Sequence, residues 1–548
     1  MSVAFTHSVL ADNIVRERVY VQTDKQTYLA GELLWMKFYL TDESGKPTTF
    51  SKIGYVELTG ESDVHVQIKL DITDGLGEGW MELPVSLSTG NYILTAYTRN
   101  MRNEGEPVFF SKTIGIINTF KSDASVKTDT VSDVYISHDL EKNNISVVTG
   151  MSVYKTRSLS EIQIHELPEN IHSLSISVAG KDFVTSKDNI LKWHNRLPAL
   201  SDVHLDNYFL PEYEGHIISG KVVDAITNQP AEENSSYSYL GFTGNQMRVF
   251  GGFSDGENNI QFVTDLISGT KEMAVATVSL SSSEYRVNIQ SPFALHSEKK
   301  IQALKLNPEW KNQLLQRSVG LQVLYAYFVD SMSRVDTTYA HFQWKPDRTY
   351  ILDEYTRFTT IEEIVIEFIP SLRFRRFDNK RFLTVLADDN SAFSLGSSLV
   401  VFDGIPIIDH DIIYKYDPLL IYKIEVYKEK FVFGNKRFDG MVLITTYNHD
   451  YPGLVLDEKT QIFDYEGTQV HRYFYSPSYV ENTSTDSNIP DYRHTLLWMP
   501  EVEHNGQNSL TVPFSTSDLT GDYQVTVEGF TKDGKIIRGT SFFKVEKP

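Results

Sequence analysis

Val19-Tyr-Val-Gln-Thr-Asp-Lys25, Tyr28-Leu-Ala-Gly31 and Leu34-Trp-Met-Lys-Phe-Tyr-Leu40 read in succession as a strand, a turn and a second strand of mixed alternation. Outward from this opening, turn signals recur at short intervals: Ser44-Gly-Lys-Pro47, Asp74-Gly-Leu-Gly77 and Ser88-Thr-Gly90, with Tyr92-Ile-Leu-Thr-Ala-Tyr97 near the end. That spacing is the one expected of a β-sandwich. Aromatic residues make up 12 % of the 548 residues, with 30 Tyr and 31 Phe against 10 Met, which favours strands over helical bundles because flat rings pack well on half-buried pleated surfaces. A chain of this length implies three to five domains, each able to bury a core.

The formal charge of −21, from 72 acidic and 51 basic residues, disfavours a phosphate-tracking surface, so nucleic acid is not an expected partner. Arg373-Phe-Arg-Arg376 is a local exception and reads as a solvated loop. With no Cys, disulfides, thiolate metal sites, cysteine nucleophiles and a lipobox cysteine are excluded for the chain as given. The start, Met1 to Asp12, has neither a basic segment nor a sustained apolar one and does not read as an intact signal peptide. Apolar runs stay far below the roughly 18 residues of a membrane helix. An exported protein trimmed of its signal or lipid anchor fits this pattern.

Further along, Val147-Val-Thr149 with Tyr154 repeats Val21-Gln-Thr23 with Tyr28 at an offset of 126 residues, the period a tandem array of domains would give. Asn307-Pro-Glu-Trp310 starts a helix, with Asn as cap and Pro in the first turn, and Trp310, Leu314, Leu321, Tyr325 and Phe328 fall near one face. Thr360-Ile-Glu-Glu363 is a capping box, followed by the stripe Ile361, Ile364, Val365, Phe368 and a stop at Pro370. Asp403-Gly404 between Val400-Val-Phe402 and Ile405-Pro-Ile407 marks a tight hairpin. Near the end, Gly521-Asp-Tyr-Gln-Val-Thr-Val527 alternates as a half-buried strand, with a turn expected over 528–534.

Several of these stretches resemble known families. Val19 to Lys25, Tyr28 to Gly31 and Gly90-Asn-Tyr92 resemble a macroglobulin-type domain of the alpha-2-macroglobulin superfamily. Gly220-Lys-Val-Val-Asp224, Thr227-Asn-Gln-Pro-Ala231 and Asp255 to Phe262 resemble the carboxypeptidase-regulatory-like sandwich, which brings no peptidase chemistry. Leu399 to Pro406, Ile424-Glu-Val-Tyr-Lys428 and Gly440 to Thr446 resemble the plug of TonB-dependent outer-membrane receptors. Only about 100 residues follow that segment, whereas a barrel of about 22 strands of about 9–11 residues needs more than ~200. The expected fold class is mainly β: tandem macroglobulin- or immunoglobulin-like β-sandwiches, a small α+β plug-like domain and one linking helix. The expected domains are a macroglobulin-type sandwich over 13–118, a second over 122–212, a carboxypeptidase-regulatory-like sandwich over 213–298, a helical connector over 299–348, the plug-like domain over 349–450 and a C-terminal sandwich over 455–548.

Chemistry is sparse. A thioester trap needs a Cys, and the 15 His show neither a His-Glu-x-x-His helix nor a repeated pair at zinc spacing. Asp388-Asp-Asn390 and Asp255 to Asn259 lack the spacing of a calcium loop and read as polar turns. Glu362-Glu363 lie adjacent on a helix and point apart, which suits a cap and a solvated face better than acid/base work. No nucleophile elbow, phosphate loop or dinucleotide fingerprint is present. No catalytic, cofactor-binding or metal-binding residue is assigned, the binding residues are unknown and no cofactor is expected. The resemblances imply a non-enzymatic protein of a Bacteroidetes-type envelope, periplasmic or outer-membrane-associated. Its expected role is an accessory or scaffold subunit, with an outer-membrane β-barrel or envelope protein as partner and membrane association through that partner or a removed anchor. The alternative is a module binding an extracellular glycan or protease, with Tyr473-Phe-Tyr475 and Tyr479 as a stacking platform.

Overall fold

The computed structural model describes residues 16–61, 63–121, 143–181, 190–195, 208–232, 235–244, 247–255, 257–281, 283–327, 344–386, 398–434, 436–479 and 489–547. It is mainly β, and its chain divides into two compact units: 1–213 with 293–336 and 468–548, and 214–292 with 337–467. The expected turns at 388–390 and the Phe328 end of the helical stripe lie outside the described residues.

In the first unit, eight strands from Glu17–Thr23 to Phe110–Ile117 form one sheet that folds over on itself. Leu33–Asp42 lies between Glu17–Thr23 and Leu76–Glu82 in one layer, while Val64–Thr73, Ile53–Thr59, Gly90–Tyr97, Phe110–Ile117 and Thr27–Leu29 follow in the other. The two layers join at the turn Asp74-Gly75, where both residues take positive φ (52° and 78°). Alternation places Val19, Val21, Phe38, Leu58 and Ile114 in the core.

A second sandwich in this unit corrects the expected domain boundaries. Strands Ser146–Thr149, Val153–Lys155, Leu159–His165 and Ile171–Gly180 do not close a domain of their own within 122–212. They pair with Thr495–Met499, Ser509–Ser515, Gly521–Thr531 and Ile536–Glu546, so the expected C-terminal sandwich is the other half of the second one. The physical reason is visible in the cores: Ile162, Ile164, Leu174 and Ile176 bury their faces against Val512, Val525, Val527 and Phe543, leaving neither half an apolar face to spare. The last turn falls at 532–534, because Gly521–Thr531 runs further than its alternating stretch suggests.

The helix Lys311–Tyr327 also belongs to the first unit. Asn307 caps its 3-10 entry by accepting from the Glu309 amide, with Pro308 in the first turn. Leu314 and Leu321 pack with Leu29, Ile117 and Leu304.

The second unit holds a third sandwich and an α+β domain. The sandwich stacks Phe253–Ser254, Asn259–Val263, Ile217–Asp224 and Tyr285–Ile289 against Arg248–Gly251, Ser236–Phe242, Thr270–Ser279 and Thr460–Glu466. Residues 460–466 were expected in the C-terminal domain, but they pair with Thr270–Ala276 and seat Tyr465 in this core. The α+β domain orders Arg348–Ile351, Ile421–Phe433, Lys436–Thr446, Leu399–Phe402 and Ile405–Ile407 in one sheet. Helices Ile361–Phe368 and His410–Lys415 contribute Ile361, Ile364, Val365 and Ile413 to its core. Thr360 Oγ1 accepts from the Glu363 amide, the cap the sequence predicts, and its hydroxyl donates to the Glu363 carboxylate at 2.8 Å. Sandwich and α+β domain meet through glycine backbones, since a Cβ on Gly241 would strike the Gly404 carbonyl and one on Gly251 the Phe433–Gly434 backbone. Among the described residues, no helix is long and apolar enough to cross a membrane.

Candidate functional site

The turn after the first strand builds an ionic seam. Asp24 Oδ1 accepts from the Tyr28 hydroxyl at 2.7 Å and from the Trp35 amide at 3.1 Å. Its Oδ2 accepts from Lys25 Nζ at 3.0 Å and from Thr495 of the second sandwich at 2.7 Å. Glu32 receives Arg317 of the long helix in a fork of two 2.7 Å bonds and lies 3.5 Å from Lys25 Nζ. Arg317 also donates to the Thr27 carbonyl. Burial pushes the Glu32 carboxyl up, but Arg317 and Lys25 outweigh it and hold the group at about 2. Burial, with the same two cations, drives the His494 imidazole well below its ordinary value. A recess of about 90 Å³ opens here, lined by polar groups and roomy enough for ordered water.

Beside the seam lies a larger groove of about 350 Å³. Four chain segments wall it. Strands Leu33–Asp42 and Leu76–Glu82 bring Trp35 and Trp80 side by side as a cross-strand pair. The end of Thr495–Met499 and the residues after it supply Trp498 and Glu501, and the stretch 470–474 lays His471, Arg472, Tyr473 and Phe474 across the top. Gln469 pins that stretch by accepting from the Trp80 amide at 3.0 Å and donating to the Trp80 carbonyl at 2.6 Å. Half of the chain's six Trp therefore line one groove.

Polar groups ring the aromatic floor. Lys37, 1 % exposed, sends its ammonium to Glu501 at 2.9 Å and Glu78 at 3.3 Å. Ser173 donates to the same Glu501 oxygen at 2.6 Å. The Arg472 guanidinium lies 4.3 Å from the centre of the Trp80 ring, and His471 stands 3.8 Å from Glu78.

Of the expected aromatic platform, Tyr473 is 46 % exposed and lines the groove. Phe474 is spent edge-on against Trp35 at 5.6 Å. Tyr475 is half-buried, and Tyr479 donates to Asp491 beneath the Arg157 guanidinium. Sequence reading missed Trp35, Trp80 and Trp498 as groove residues. Their signal was three tryptophans on strands, but nothing local says that distant strands meet.

Elsewhere, Arg373-Phe-Arg-Arg376 is not a loop. It lies on a strand, Leu372–Phe377, paired with Lys380–Val385 across the two-residue turn Asp378-Asn379, both at positive φ. Asp255 closes a polar turn by accepting from the Glu257 and Asn259 amides. Glu362 accepts from the Tyr414 hydroxyl at 2.6 Å. Among the described residues, no cluster of three His, Asp or Glu has the arrangement of a metal site.

No family model matches the chain, and no curated protein matches it. Among solved structures it is similar to the alpha-2-macroglobulin of Salmonella reacted with methylamine, at 9 % identity and a TM-score of 0.25, over 97 % of this chain and 40 % of that one. The Escherichia coli alpha-2-macroglobulin in its native conformation gives 10 % and 0.25 over 97 % and 40 %, and the form activated by porcine elastase 10 % and 0.25 over 97 % and 44 %. The chain spans about two fifths of the length of the structures it matches. Likeness at this level does not carry over an activity.

Proposed function

We propose that this chain is a non-enzymatic protein of a Bacteroidetes-type envelope, working as an accessory or scaffold subunit of an outer-membrane complex. In this reading the first two sandwiches are macroglobulin-type, the third is carboxypeptidase-regulatory-like and the α+β domain is a plug without a barrel. The observation that carries it is the hairpin of that α+β domain. Its fourteen residues, Leu372 to Val385, hold five Arg and Lys against one Asp in a chain of net charge −21. Its tip lifts Phe377 to 77 % exposure. Its base is fixed by Leu372, Leu383 and Val385 in the core and by Arg381 on Asp411 at 2.9 Å. A rigid, basic, aromatic-tipped surface suits contact with an acidic protein face better than chemistry.

The test is an affinity pull-down of the tagged chain from detergent-solubilised envelope, with Phe377→Ser/Arg376→Glu beside the wild type. Stoichiometric recovery of an outer-membrane barrel by the wild type, lost in the variant, is expected. A clean monomer without a membrane partner contradicts the proposal. The groove favours a second reading, a module that binds an extracellular glycan; nothing in it speaks for a protease.

A further inference from the structure

We infer that the groove walled by Trp35, Trp80, Tyr473 and Trp498 is a binding site for one neutral pyranose ring of a glycan. This rests on the second of the two readings above and is independent of the accessory-subunit reading.

Size sets the first bound. Ligand pockets run from about 300 to 1,000 Å³, so a groove of about 350 Å³ takes one small ring rather than an extended chain. The wall chemistry sets the second. A pyranose offers an apolar C–H face and a rim of hydroxyls, and here an aromatic floor is bordered by acceptors and donors. Trp35 and Trp498 are buried beneath the floor, at 6 and 3 % exposure, so the open part is the half-buried Trp80 and the rim, where Tyr473 is 46 % exposed and the side chains of Glu78, Glu501 and His471 are 29, 39 and 44 % exposed. Lys37 and Ser173 both address Oε2 of Glu501, which leaves its Oε1 to face solvent or a hydroxyl.

Charge decides between ligand classes. Aromatic rings beside two carboxylates would ordinarily form a cage for an ammonium group. In this groove both cationic places are already filled from within, one by Lys37 between Glu78 and Glu501 and one by Arg472 over Trp80. An incoming cation would displace a buried internal one, and an incoming anion would meet the two carboxylates. Two carboxylates against two cations leave a site in balance, which admits a neutral polyol.

The experiment titrates the full chain with methyl α-glucopyranoside, methyl α-mannopyranoside, methyl β-galactopyranoside and methyl N-acetyl-β-glucosaminide, with glucuronate and glucosamine as charged counterparts. Tryptophan fluorescence and saturation-transfer NMR report binding. At least one neutral glycoside is expected to shift the fluorescence saturably and to bind about tenfold or more tightly than either charged sugar. Tyr473→Ala, at an exposed position, should weaken it by at least about tenfold, and Tyr479→Phe, outside the groove, should leave it unchanged. Equal binding by Tyr473→Ala assigns the sugar to another surface and overturns the groove while sparing glycan recognition. Saturable binding of glucosamine alone overturns the neutral ligand. Silence of every neutral probe to its solubility limit overturns both, while barrel recovery in the pull-down is read separately.

Discussion

The two sandwiches of the first unit are copies of one design, and one of them has been opened. At a constant offset of 126 residues, Thr23↔Met36 and Tyr20↔Tyr39 in the first become Thr149↔Ile162 and Ser146↔His165 in the second. Each copy follows its first strand with the same turn: Thr23 donates to the Lys25 carbonyl and Thr149 to that of Met151, while the Lys25 and Met151 amides donate to the hydroxyls of Tyr28 and Tyr154. Each then runs a three-residue strand parallel to its last strand, Thr27–Leu29 on Gly115–Ile117 and Val153–Lys155 on Lys544–Glu546. The copies part after the fourth strand. In the first, the Gly60 amide donates to the Asp63 carbonyl at 2.8 Å and the next strand starts at Val64. In the second, the chain leaves after Gly180 and returns at Thr495. A surface turn is where this is tolerable, because loop-closure cost rises by only about 0.6 kcal/mol per doubling of length.

The copied turn has also diverged in chemistry. Asp24, Lys25 and Glu32 correspond to Gly150, Met151 and Ser158 at the same offset. Only the first copy is therefore equipped for the ionic seam, and the comparison can be broken there. Arg317→Leu leaves Glu32 buried against Lys25 alone and is expected to cost about 3–5 kcal/mol in urea denaturation. The double change with Glu32→Leu should recover much of that loss. If the single change is silent, the seam does not hold the unit together.

Acid should separate the copies next. Glu32 is held at about 2, below its ordinary 4.5, so the stability it contributes is full above 4.5 and is lost as pH falls toward 2, on the order of 3 kcal/mol. His494, lowered from 6.5 by burial and by Arg317 and Lys25 with Glu32 opposing, adds a loss in the same direction below 6.5. His296 acts the other way. Its hydrogen bond to Glu57 raises it above 6.5, so its contribution is full below 6.5 and lost as pH rises through the raised value. Urea melts from pH 3 to 8 should show a steep acid limb that flattens in the Arg317→Leu/Glu32→Leu double variant.

Smaller effects sharpen the same comparison. Tyr28→Phe removes a buried hydroxyl that serves Asp24 and both ends of Lys25, and is expected to cost about 2 kcal/mol, against about 1 for Tyr154→Phe. The position after each short strand is left-handed in both copies, Gly31 at φ 93° and Arg157 at φ 51°. Gly31→Ala should cost about 1 kcal/mol or more. Arg157→Gly should be near neutral, because relief of strain offsets a partly exposed pair with Asp518 worth about 0.2–1 kcal/mol. Equal costs at the two positions would contradict the correspondence.

Local chemistry was legible in the sequence wherever a short stretch sets its own geometry: the cap at Thr360, the Asn307-Pro308 helix start, the Asp403-Gly404 hairpin at φ 47° and 92°, and the repeat of Thr and Tyr at 126 residues. What escaped is non-local. The alternation of Val525 and Val527 says that one face is buried and does not say against which strand, so two halves of one sandwich read as two domains. The groove escaped for the same reason, since Trp35 and Trp80 meet Trp498 only because the second sandwich closes with strands from the far end of the chain. Arg373 to Arg376 misread as a loop because charge masked the alternation that Asp378-Asn379 turns into a hairpin.

The split sandwich is the central claim, because the groove depends on it. Native-state hydrogen exchange of the full chain across a urea series tests it most directly. Amides of Ile171–Gly180 and Gly521–Thr531, paired in register although far apart in sequence, should lose protection together at one urea concentration. Loss of protection in Gly521–Thr531 at a distinctly lower concentration, with Ile171–Gly180 still protected, would mean two independent domains and would contradict the account.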